Sequence, residues 1–206
     1  MESRMQYGKT MLLAAGFAAI FTTTPTLAAD EEGNFAIRGI GGQNCGAIAD
    51  AITEADDAER DNLVITLSTW LGGYLTHANR AVDGRFDVVP FVSDVDVLAV
   101  VVDRCEAARD ANFETAAAEI LGALTPVGTP SRAPVADLDD NSVALRTPTV
   151  VALQQALIDR GYLDGTADGV VGAMTRDAVA EFNADTGIDG GSTITIDTVL
   201  RAFAQD

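Results

Sequence analysis

His77 is the only histidine in this chain of 206 residues, which leaves little scope for a Ser/His/Asp triad. It lies in no HxxE or HxH spacing, and a zinc hydrolase needs several His, Cys or carboxylate ligands acting together. Neither GxSxG nor SxxK occurs in the sequence. Carboxylates are abundant, 31 in all. A glycosidase pair, however, needs one acid in an apolar cleft and a second several ångströms away. Asp56-Asp57 and Asp139-Asp140 are neighbours in polar surroundings, while Asp164 and Asp168 fall in turn-forming Asp-Gly pairs. Asp185–Asp189 lacks the ligand spacing of an EF-hand. The two cysteines, Cys45 and Cys105, sit in no CxxC and beside no evident base. The expectation is a protein with no catalytic residue, no metal and no cofactor.

The segments that hold these residues point to export. Arg4 and Lys9 precede the apolar run MLLAAGFAAIF, and Leu27-Ala28-Ala29 supplies small residues for cleavage. That is the layout of a signal peptide over residues 1–29, and the run is too short for a transmembrane helix, which needs about twenty residues. In an oxidising compartment the simplest reading of the cysteines is one Cys45–Cys105 disulfide, expected to tie the first helix to the fourth. Loss of the segment removes Arg4, Lys9 and Glu2 from 13 basic and 31 acidic side chains, leaving 11 arginines against 30 carboxylates. A surface so acidic disfavours nucleic acid and anionic lipid, because phosphate attraction needs clustered cations. Partners of those kinds are not expected, nor is a membrane once the leader is cut.

Residues 30–44 read as a flexible lead-in. From Cys45 to Leu124 the apolar periodicity is helical. Ala47, Ile48, Ala51 and Ile52 make a short helix. Leu63, Leu67, Trp70, Leu71, Tyr74 and Leu75 mark a long one that contains Gly72-Gly73. Ser93 with Asp96 resembles a capping box for a helix through Leu98, Val101 and Cys105. Asn112 caps a last helix that is stopped by Pro126. Residues 125–147, with Pro126, Pro130 and Pro134, have a linker's composition and are expected to separate domains that need not pack together.

The C-terminal part carries three short helices: one through Val150, Leu153 and Leu157, one through Ala178, Val179 and Phe182, and one through Val199, Leu200 and Phe203. Between them stand Leu153-Gln154, Gly161-Tyr162, Asp168-Gly169, Gly172 and Thr175, the last read as opening the second helix. In that order and spacing, residues 148–203 resemble the peptidoglycan-binding domain found at one end of many cell-wall hydrolases. Asn183 and Met174 depart from that family's usual Gln and Lys at positions that could meet ligand. The resemblance implies a three-helix module over residues 148–204 that folds alone and binds peptidoglycan. Tyr162 is expected to stack or hydrogen-bond, with Asp168, Thr175 and Arg176 near the groove.

A second resemblance covers about residues 45–124. Trp70-x-x-Gly73-Tyr74 between two cysteines is similar to HdeA/HdeB-type periplasmic acid-stress chaperones and to Rap1a/Tai-type immunity proteins. The sequence thus implies an all-α protein of two small helical domains joined by a Pro-rich linker. Its expected role is a periplasmic or secreted, non-catalytic cell-wall binder whose N-terminal domain serves as adaptor and could receive a protein client. The alternatives are an acid-stress chaperone, or a partner or inhibitor of a wall hydrolase or toxin.

Overall fold

The computed structural model describes residues 29–30 and 32–204, so the expected signal segment lies outside the described residues except for Ala29. Among them are seven α-helices, two short 3-10 turns and four isolated β-bridges, with no strand, so the chain is all-α. The helices are α1 (Cys45–Glu54), α2 (Asp57–Ala81), α3 (Asp94–Ala107), α4 (Phe113–Leu124), α5 (Thr147–Asp159), α6 (Ala173–Thr186) and α7 (Ile196–Phe203).

α3 packs against α1, α2 and α4 and carries Val97, Leu98, Val101 and Cys105 into the core. The Val100–Val102 run, which could also suit a strand, is helical here. α2 begins on a reciprocal capping box between Asp56 and Glu59, and α4 on Asn112, whose side chain accepts the Thr115 amide. Ser93 caps α3 by accepting from Val95, without the reciprocal bond expected of Asp96. The Cys45–Cys105 disulfide is present and joins two fully buried residues, tying α1 to α3 rather than to a fourth helix.

Trp70 and Tyr74 stack at 5.2 Å, and Trp70 also tilts against Phe113 of α4. The indole Nε1 donates to the Arg38 carbonyl, and the 3-10 turn Gly39–Gly42 lies on the ring. A Cβ at Gly41 would overlap the indole, so only glycine allows this approach. The Tyr74 hydroxyl donates to the buried Glu114 carboxylate at 3.0 Å; burial first, and then that carboxylate, push the phenol pKa up to about 12. The Trp-x-x-Gly-Tyr motif thus builds the α2–α4 interface.

Residues 125–147 are not a loose tether. Leu145 and Thr129 are buried, the Phe91–Leu145 bridge pairs this segment with the loop before α3, and the Val92 amide donates to Ala144. On the other edge the Ala136 amide donates to Leu145, while Val143 donates to Ile194 ahead of α7. Arg85 donates to the Pro126 and Gly128 carbonyls, and Arg146 lies over the Phe86 ring at 5.1 Å. The chain from Ile37 onward packs as one compact unit, with a core running from Cys45 to Ala202. The composition resembled a linker because its few apolar residues follow no period, yet each is used once in a packed, extended strap.

Candidate functional site

In the C-terminal helices α5 starts at Thr147 with Pro148 in its first turn, where a missing amide costs nothing. Its inward face places Val150, Leu153, Gln154 and Leu157 against α6 and α7. Gln154, 2% exposed, is the hub of the loop between α5 and α6. Its carbonyl oxygen accepts the Gly169 amide at 2.7 Å, and its amide nitrogen lies 3.1 Å from Asp168 Oδ1, the Val170 carbonyl and Thr175 Oγ1. Gly169 has φ +79° and passes so near Thr147 and Val151 that a Cβ would lie 2.7 Å from Thr147 Cγ2. The close approach therefore falls at Gly169, whereas Gly172 has open space around its Cβ position. The Val170 amide first, and then Gln154, hold the Asp168 carboxyl below the usual carboxylate range.

The structure separates the four expected site residues. Thr175 is buried on Gln154 and does not cap its helix: α6 begins at Ala173 after Gly172, so Thr175 supports the loop from inside. Asp168 is exposed on that loop, and Arg176 donates to the Val171 carbonyl beside it. Tyr162 stands elsewhere, edge-on to Phe182 at 5.3 Å with its hydroxyl donating to Asp185. Phe182 and Thr175 are seven residues apart on α6, roughly 10 Å along the axis. Of the two family departures, Asn183 proves fully buried. It donates to the Gly191 and Thr193 carbonyls, accepts from Thr198, and so shapes the loop before α7 instead of facing a ligand. Met174 is 70% exposed and remains available at the surface.

Two adjoining concavities meet at Asp159 and Arg160, at the C-terminal end of α5. One, about 410 Å³, is lined by Asp159, Arg160, Tyr162, Phe182, Thr186 and Arg201. The other, about 540 Å³, shares Asp159 and Arg160 and runs along α5 past Phe203 to Arg85 and Pro126. Residues 146–189 match the family model described as "Putative peptidoglycan binding domain". The match takes in the Gln154 hub, Tyr162 and all of α6, and it ends ahead of α7. No curated protein and no solved structure matches the chain.

In this C-terminal module the sequence reading missed Arg160 and Arg201, which share a pocket although 41 positions apart, with no motif linking them. Partial burial first, and then the Asp185 carboxylate, raise the Tyr162 phenol above its ordinary value. Among the described residues no three His, Cys, Asp or Glu side chains gather as a metal site, and no helix is long and apolar enough to cross a membrane. His77 is exposed on α2.

Proposed function

We propose that this is an exported, non-catalytic peptidoglycan-binding protein. Its C-terminal module holds the α1–α4 domain at the cell wall as an adaptor, in the periplasm or outside the cell. The observation that carries this is the family match over residues 146–189, together with the Gln154-organised loop and the open Tyr162 face. On this reading Tyr162 and Arg160 meet ligand directly. Asp168 and Arg176 border the loop, and Thr175 positions it. The domain boundaries we propose are 45–124 and 148–204, with 125–147 as a strap that couples them.

Co-sedimentation of the full oxidised chain with purified sacculi tests this. The chain is expected to leave the supernatant with the wall material, and to do so still in moderate salt. A chain that stays in solution across the whole salt series overturns the proposal.

An acid-triggered chaperone would need its helices to loosen as pH falls. Within α1–α4 and their loops, the carboxylates with a resolved shift are Asp87 and Asp96, and burial raises both above 3.8. A raised carboxylate favours the folded state at low pH, and that contribution is lost as pH rises through the folded value. The opposite sign holds for Asp168, whose stabilising contribution is present above 3.8 and lost as pH falls through its lower folded value. These groups make acid act on the wall-binding loop, while they work against opening of the α1–α4 domain. They favour the adaptor reading over the chaperone one.

A further inference from the structure

We propose that the pocket beside Tyr162 is a subsite for a zwitterionic amino-acid end, a carboxylate and an ammonium borne on one carbon, as carried by a peptidoglycan stem peptide. The inference rests on the wall-binding reading above and names the part of the wall recognised. Cations are scarce in this chain, whose formal net charge is −18, yet Arg160 and Arg201 line the same pocket. One arm of Arg160 is fixed by donation to the Ala204 carbonyl at 2.7 Å, which holds the guanidinium in place with donors to spare. Two such forks suit a carboxylate.

The pocket is not simply cationic. Asp159 also lines it, and one of its oxygens accepts from Gln155, leaving the other for a ligand. Asp185 stands at the rim, bonded to the Tyr162 hydroxyl at 3.3 Å. A polyanion would meet Asp159 and Asp185 unfavourably, and a plain cation would meet the arginines. A group carrying both charges satisfies both pairs, and the Tyr162 and Phe182 rings offer an apolar wall for the methylenes behind it. Neutral sugar hydroxyls would leave these four charges without a counter-charge. The adjoining concavity along α5, lined by Pro126, Pro148, Ala152 and Phe203, gives room for the rest of the ligand.

The test uses the full oxidised chain and a soluble disaccharide-tripeptide ending in meso-diaminopimelate. Its companions are the same fragment amidated at the side-chain carboxylate, the one on the carbon that bears the free amine, the same fragment with that amine acetylated, and a peptide-free glycan of the same sugars. The tripeptide fragment is expected to bind and to shift the Arg160 and Tyr162 backbone resonances. Each cap should weaken binding about tenfold, the size of one charge-assisted hydrogen bond. Arg201→Gln, at an exposed position, should lose about the same factor for the uncapped fragment and nothing further for the amidated one. Equal binding of capped and uncapped fragments, or tightest binding of the peptide-free glycan, overturns the inference. Retention of the chain by sacculi alongside either result leaves the wall-binding reading standing; failure on sacculi removes that reading instead.

Discussion

Replacing Cys45 and Cys105 together with serine is expected to lower the stability of the protein by about 4 kcal/mol. The bond closes a loop of 60 residues, and in the chain-entropy model that is the conformational freedom returned to the unfolded state. Both cysteines are fully buried, so each serine also places a hydroxyl in the α1–α3 interface. In a chain of this size the thermal midpoint should fall on the order of 10 °C, and reduction of the unaltered protein should reproduce most of the drop. The loss falls mainly on α1–α4, where α1 is otherwise held by Asn44, the bonds of Cys45 and Gly46 to the loop before α4, and the Arg109–Asp50 ion pair at 2.7 Å. That pair is half exposed and contributes little on its own. A midpoint unmoved by reduction would contradict the account.

Gln154→Leu is expected to cost about 3 kcal/mol and to remove wall binding with it. Leucine preserves the bulk and helix propensity, so the loss isolates the amide. Without it the buried Gly169 amide has no acceptor, the Thr175 hydroxyl loses its partner, and Asp168 and Val170 are released. Leaving buried polar groups unpaired costs about 1–3 kcal/mol each, more than the hydrogen bonds contribute when made. Denaturant titration should show the destabilisation, while Trp70 fluorescence, reporting on the α2–α4 cluster, keeps its native spectrum before the transition. Unchanged stability and unchanged retention by sacculi would mean that Gln154 does not organise the loop.

Much of this architecture follows from local chemistry that a sequence displays. The long α2 is read from Leu67, Leu71 and Leu75 recurring on one face, and α4 from Asn112 followed by spaced Ala116, Ile120 and Leu124. The disulfide follows from two cysteines in a chain read as exported, and the order Leu-Gln, Gly-Tyr, Asp-Gly identifies the module that the family match covers.

What stayed hidden depends on which side chains meet across the fold. Thr175 has the composition of a cap and Asn183 that of a ligand-facing amide, yet both are buried, because Thr175 pairs with Gln154 of α5 and Asn183 with backbone carbonyls of the loop before α7. Leu145 and Thr129 look like linker residues because single apolar or small residues have no period; their burial depends on Phe91 and Thr149 being brought opposite them. Arg160 and Arg201 become neighbours only when α7 packs on α5. Removing residues 1–145 from the module would also take away Thr129, whose hydroxyl lies 3.3 Å from that of the buried Thr149. The strap therefore belongs to the module's stability as well as to its connection.

Backbone resonance mapping of the full chain during titration with soluble peptidoglycan fragments tests the central claim most directly. The account predicts perturbations clustered at residues 159–162, 182–186 and 201–204, with smaller ones at 168–176 and little on α1 and α3. Perturbations centred on α1–α4, or none at fragment concentrations where sacculi retain the protein, would contradict it.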